Sequence, residues 1–131
     1  MSEIDSVMQQ WIQRADIDIR AAEVLLDYKT DNFCDVVCFH CQQCIEKLLK
    51  ASLIAIGRKP PKIHDLGQLA LLIIEIKADL QLNPSEFDIL TDFSTEGRYP
   101  GSSMEREEAE EILRLTRKLR EQLLQIIQQQ P

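Results

Sequence analysis

Cys38-Phe39-His40-Cys41-Gln42-Gln43-Cys44-Ile45-Glu46-Lys47-Leu48-Leu49-Lys50-Ala51 lies in the middle of a stretch whose apolar periodicity predicts one helix from Asn32 to about Ile56. Its apolar set, Phe33, Val37, Cys38, Cys41, Cys44, Ile45, Leu48, Leu49, Ser52, Leu53 and Ile56, covers more than half of the helix circumference. A helix apolar over so wide an arc must be packed on several sides, so this one is central to the fold. Asp31 or Asn32 is placed to cap its start, and Gly57 to end it, because glycine tolerates the positive φ that closes many helices. What remains is a narrow polar strip of Asp35, Gln42, Gln43, Glu46, Lys47 and Lys50.

Working outward, the turn-forming residues are few and clustered at Thr30-Asp31-Asn32, Gly57 with Pro60-Pro61, Asn83-Pro84, and Gly97 with Pro100-Gly101. Before the central helix, residues Ser6 to about Lys29 place Met8, Trp11, Ala15, Ile19, Ala22, Leu25 and Leu26 on one helical face. Asp16 and Arg20 share another face in the acid-first i,i+4 order that suits a surface ion pair. A third helix is expected from His64-Asp65 to about Asp79, and a short one from Pro84, favoured at a first helical position, to Phe93. Residues 94–101 read as irregular. The last helix is expected from Ser103, capped by Ser102 or Ser103, to about Gln128, with glutamates early and arginines late in the order that suits the helix dipole. Three long helices, a medium one and a short one, with brief connections, predict an all-α, antiparallel up-and-down bundle of four main helices plus one short helix. The Gln-rich end is expected to fray.

Composition bounds the function. The 131 residues carry 15 basic and 22 acidic side chains, a formal net charge of −7. That argues against broad DNA binding, which depends on many Lys and Arg contacts to phosphate. Neither a signal peptide nor a membrane span is predicted, so the reading is cytoplasmic, with cysteines reduced. Cys34, Cys38, Cys41 and Cys44, with His40 among them, resemble a metal-ligand run at first sight. On a helix, however, the first three spread over about 10 Å and cannot all reach one ion. They are expected to be small core residues, with no metal and no cofactor.

Two segments stand apart. Arg58-Lys59-Pro60-Pro61-Lys62-Ile63-His64 is a local basic patch, either a charged surface loop or a phosphate contact. Arg98-Tyr99-Pro100-Gly101 puts a guanidinium and an aromatic ring in the irregular stretch, where binding residues concentrate.

The run Cys38 to Ala51 resembles the signature of HEPN domains, in which the central helix reads Phe-His-x-Gln-Gln-x-x-Glu-Lys-x-Leu-Lys-Ala. Trp11 with Ala15 and Asp18, His64-Asp65-Leu66, and Arg98-Tyr99-Pro100 extend the resemblance over residues 8 to 125. It implies one HEPN-like domain over residues 1–131, with a core of about 6–127. It also implies a homodimer, often the partner of a minimal nucleotidyltransferase in a two-component, in many cases toxin–antitoxin, system. Many members are metal-independent ribonucleases whose motif is an Arg, then four to six residues, then a His. Here no His follows Arg98 in that range. Arg58 and His64 have the spacing but flank a Pro-Pro loop. Arg98, Arg58 and His64 therefore stand as weak catalytic candidates. The expected role is a non-catalytic nucleotide or partner-binding subunit, its cleft lined by His40, Gln43, Lys47, Arg98 and Tyr99, with a cationic character around Lys47 and Arg98.

Overall fold

The structure, a computed structural model, describes residues 2–93 and 104–130. Arg98 and Tyr99, the irregular stretch around them, and the expected caps Ser102 and Ser103 lie outside the described residues.

The described residues form five α-helices in order: α1 Glu3–Asp27, α2 Cys34–Ala55, α3 Leu66–Ile76, α4 Pro84–Phe93 and α5 Arg106–Gln129. Lateral contacts give their directions. Trp11, Asp18 and Tyr28 of the rising α1 side meet Lys50, His40 with Lys47, and Phe33 on the falling α2 side, so α1 and α2 are antiparallel. Arg106, Arg117 and Arg120 of α5 reach the Tyr28 carbonyl, Glu23 and Asp16, so α5 also opposes α1. The structure thus gives Asp16 to Arg120, 3.0 Å away on another helix, where the sequence suggested Arg20.

Helix α2 is central. Val37, Cys41, Cys44, Ile45, Leu48, Leu49 and Leu53 are fully buried, and the core continues through Ala15 and Ala22 of α1, Leu69 and Ile73 of α3, Phe87 of α4, and Leu119 and Leu123 of α5. Burial at roughly 25 cal/mol per Å² of apolar surface is what holds these helices together, since packing of an amphipathic face supplies most of a helix's stability in a folded protein. The four cysteines are part of this core. Cys38 Sγ donates to Met104 Sδ at 3.0 Å. Burial pushes the Cys41 thiol up to about 11, and Cys44 is raised further for the same reason. Among the described residues no group of three His, Cys, Asp or Glu side chains is placed to hold one metal ion, and no helix is long and apolar enough to cross a membrane.

Helix ends differ from expectation where capping is concerned. Helix α1 starts at Glu3 because Ser2 and Asp5 form a reciprocal capping box. Asp31 and Asn32 do not cap α2; Thr30 accepts from the Asn32 N–H at 3.2 Å and opens a 3₁₀ turn, Asp31–Phe33, that leads into it. Gly57 ends α2 with φ 89°. The Arg58 N–H reaches the Leu53 carbonyl at 2.8 Å and the Gly57 N–H the Ile54 carbonyl at 3.0 Å, the double closure of a Schellman turn. Helix α3 stops at Ile76, short of Asp79, because a turn from Lys77 brings Leu80 back onto the core. Helix α5 begins at Arg106 behind Glu105, whose N–H donates to Glu108 at 3.1 Å. The Gln-rich end continues the helix to Gln129, and the Gln130 amide donates to the Ile126 carbonyl at 3.1 Å.

Candidate functional site

The polar strip of α2 is mostly not a solvated face. Gln42, Glu46 and Lys50 are buried, and so is Asp18 of α1. Two acids, Asp18 and Glu46, are therefore nearly removed from solvent. A buried carboxylate persists only when its charge is matched and its lone pairs are bonded. Both conditions are met twice over.

His40 and Lys47 stand two turns apart on α2, so their side chains share a face. Asp18 lies across from them. His40 Nδ1 is 2.9 Å from Asp18 Oδ1, and the Lys47 ammonium donates to Asp18 Oδ2. Since a carboxylate only accepts, His40 carries its proton on Nδ1 and keeps Nε2 as an acceptor when neutral. The His40 side chain is 31% exposed and Lys47 21%, so this cluster reaches the surface.

One turn along, Glu46 repeats the arrangement. Glu46 Oε2 accepts from Lys50 Nζ at 3.1 Å and from His64 Nδ1 at 3.0 Å, and Oε1 accepts from Gln42 Nε2 at 3.3 Å. Gln43 Nε2 donates to Gln42 Oε1 at 2.9 Å, which ties Gln43 into the same chain of bonds. The Lys50 ammonium also lies 5.7 Å from the centre of the Trp11 ring, a cation–π contact. His64 precedes Asp65, whose side chain caps α3 by accepting from the Gln68 N–H at 2.9 Å. The Glu46–His64 bond thus pins the start of α3 to the middle of α2.

Asp18 faces the Lys47 ammonium and Glu46 the Lys50 ammonium, one carboxylate to one ammonium in each cluster. The Lys47 part of the expected cationic character is thus compensated by Asp18, and Arg98, its other part, lies outside the described residues. What the strip offers is a set of polar groups held in fixed orientation, suited to recognition by hydrogen bonding. Of the residues expected to act together, His40, Gln43 and Lys47 do fall on this one strip. His64 is joined to it through Glu46. Arg58 is separate; it lines a groove against Trp11 at the N-terminal part of α1. Asp18 is the residue a helical pattern alone leaves undistinguished, because its place seven residues after Trp11 shows a shared face but not which helix covers it.

Comparison with known proteins follows the same lines. The family model of the HEPN domain matches residues 8–127. Among solved structures, that of TT1696 from Thermus thermophilus superposes with a TM-score of 0.76 at 22% identity, covering 91% of this chain and 97% of the other. An archaeal HEPN homologue, ST0689, superposes with a TM-score of 0.68 at 20% identity, covering 92% and 97%. At these identities the likeness is one of fold. No curated protein sequence matches the chain.

Proposed function

Since this chain belongs to the HEPN domain family, we propose that it serves as the nucleotide- and partner-binding subunit of a two-component system with a minimal nucleotidyltransferase, without catalysing a reaction itself. The observation that carries this reading is charge compensation along α2. Asp18 holds His40 and Lys47, and Glu46 holds Lys50 and His64. A phosphodiester-cleaving site needs uncompensated positive charge where the transition state gathers negative charge. On the α2 strip both lysines, Lys47 and Lys50, already face a carboxylate. The partly exposed His40, Gln43 and Lys47 instead present fixed donors and acceptors at the surface, and they are the contact residues of the proposal.

Co-expression with a minimal nucleotidyltransferase from the same genome, with calorimetry against ATP and AMP, tests it. Recovery of a stable complex, or saturable heat with either nucleotide, is the expected result. Neither complex nor heat overturns the reading. Cleavage of total RNA by the purified protein between pH 5 and 9, lost on Arg58→Ala, His64→Ala or Arg98→Ala, replaces it with the metal-independent endoribonuclease.

A further inference from the structure

Away from the α2 strip, a groove of about 530 Å³ runs between the N-terminal turns of α1 and the end of α2. That is within the roughly 300–1,000 Å³ range of small-molecule sites. Its walls are Ile4, Val7 and Trp11 of α1 and Ile54 of α2, with Arg58 and Lys59 also lining it. Ile4 is 65% and Val7 46% exposed. These two, with Trp11, recur at i, i+3 and i+7, a second apolar stripe on α1 that the bundle core does not cover. Arg58 and Lys59 have no ion-pair partner among the described residues, unlike the lysines of the α2 strip.

We propose that this groove binds a single-chain amphiphilic anion of the alkyl-carboxylate class. The alkyl chain lies along Ile4, Val7, Trp11 and Ile54, and the carboxylate sits against Arg58 and Lys59. Three observations select that chemistry. The walls carry aliphatic carbons with few polar groups, so an alkyl chain gains burial there while the edge of a nucleobase would lose its water partners. The two cations, without an ion-pair partner among the described residues, are adjacent in sequence and follow the Schellman turn at Gly57, which fixes where the backbone places them. Glu3 also lines the groove and disfavours an anionic head elsewhere along it, so the ligand has one orientation. This site is distinct from the one proposed above and goes beyond that reading.

Trp11 is the one tryptophan of the chain, so its fluorescence reports the groove directly. Decanoate titrated into the full chain below its micelle concentration is expected to change Trp11 emission saturably. Arg58→Ala with Lys59→Ala should weaken binding about tenfold or more, the loss expected for charge-assisted contacts, and decanol should bind correspondingly less tightly than decanoate. Val7→Asp should abolish the change with the helical circular dichroism retained. Both cations are on an exposed turn, so the double variant decides the matter even if Val7→Asp fails to fold. No saturable change with decanoate, equal binding of decanol and decanoate, or an unaltered affinity of the double variant overturns the proposal. So does saturation by AMP on these residues with none by decanoate.

Discussion

His40 Nδ1 lies 2.9 Å from Asp18 Oδ1, while the other oxygen of the same carboxylate takes the Lys47 ammonium. One acid on α1 thus orders two residues of α2 that are seven positions apart, and the acid is itself nearly buried. The packing of α1 on α2 and the geometry of the proposed contact surface are consequently one problem.

Removing the acid should therefore cost stability as well as order. Asp18→Asn leaves the Lys47 charge without its counterion, and unfolding in urea should show a loss of about 2 kcal/mol, less than for a fully buried pair because Lys47 is partly exposed. Adding Lys47→Met to Asp18→Asn should recover part of that loss. A double-mutant cycle in which the two changes are simply additive contradicts the coupling.

The thiols give a pH dependence of known sign. Cys41 is held up to about 11 by burial, against 9.0 when unfolded. Between those values the unfolded chain loses a proton that the folded chain keeps, so stability is full below pH 9 and falls as pH rises toward 11. The Cys41 share of that fall is about 2–3 kcal/mol at 1.36 kcal/mol per pH unit, and Cys41→Ala should make the fall shallower while Cys44, raised by the same burial, keeps the rest of it. A thiol reagent at pH 8 should label Cys41 and Cys44 only as the protein unfolds.

Gly57 adopts φ 89° at the end of α2, where an added Cβ meets nothing within 4 Å. Any cost of Gly57→Ala is therefore conformational, and about 1 kcal/mol is expected from thermal unfolding. A neutral substitution would show that the turn relaxes.

Much of this architecture was legible in the residues themselves. Gly57, Asp65 and Pro84 mark real helix ends because each acts through local backbone chemistry. The breadth of the α2 apolar set correctly makes that helix central and makes packing residues of its cysteines. The failures share a cause. The start of α1 depended on the Ser2–Asp5 pair, a readable S-x-x-D signal, and that of α5 on two glutamates in place of the expected serines. The burial of Asp18 and Glu46 was not legible because a period of 3.6 shows which residues share a face but not which neighbour neutralises them. The pairing is tertiary: His64 reaches Glu46 from 18 positions away and His40 reaches Asp18 from 22.

His40 and Gln43, oriented by the buried acids, are the contact residues proposed for a non-catalytic subunit. Calorimetry of the chain with its nucleotidyltransferase, compared among wild type, His40→Ala and Gln43→Ala, bears on that proposal without intermediate steps. Each substitution should weaken the complex about tenfold, the value of a lost interfacial hydrogen bond; Gln43→Ala should leave thermal stability little changed because its side chain is partly exposed, whereas His40→Ala also lowers it by removing a partner of the buried Asp18 carboxylate. Wild-type affinity in both variants, with the fold retained, would place the contact surface elsewhere and contradict this assignment.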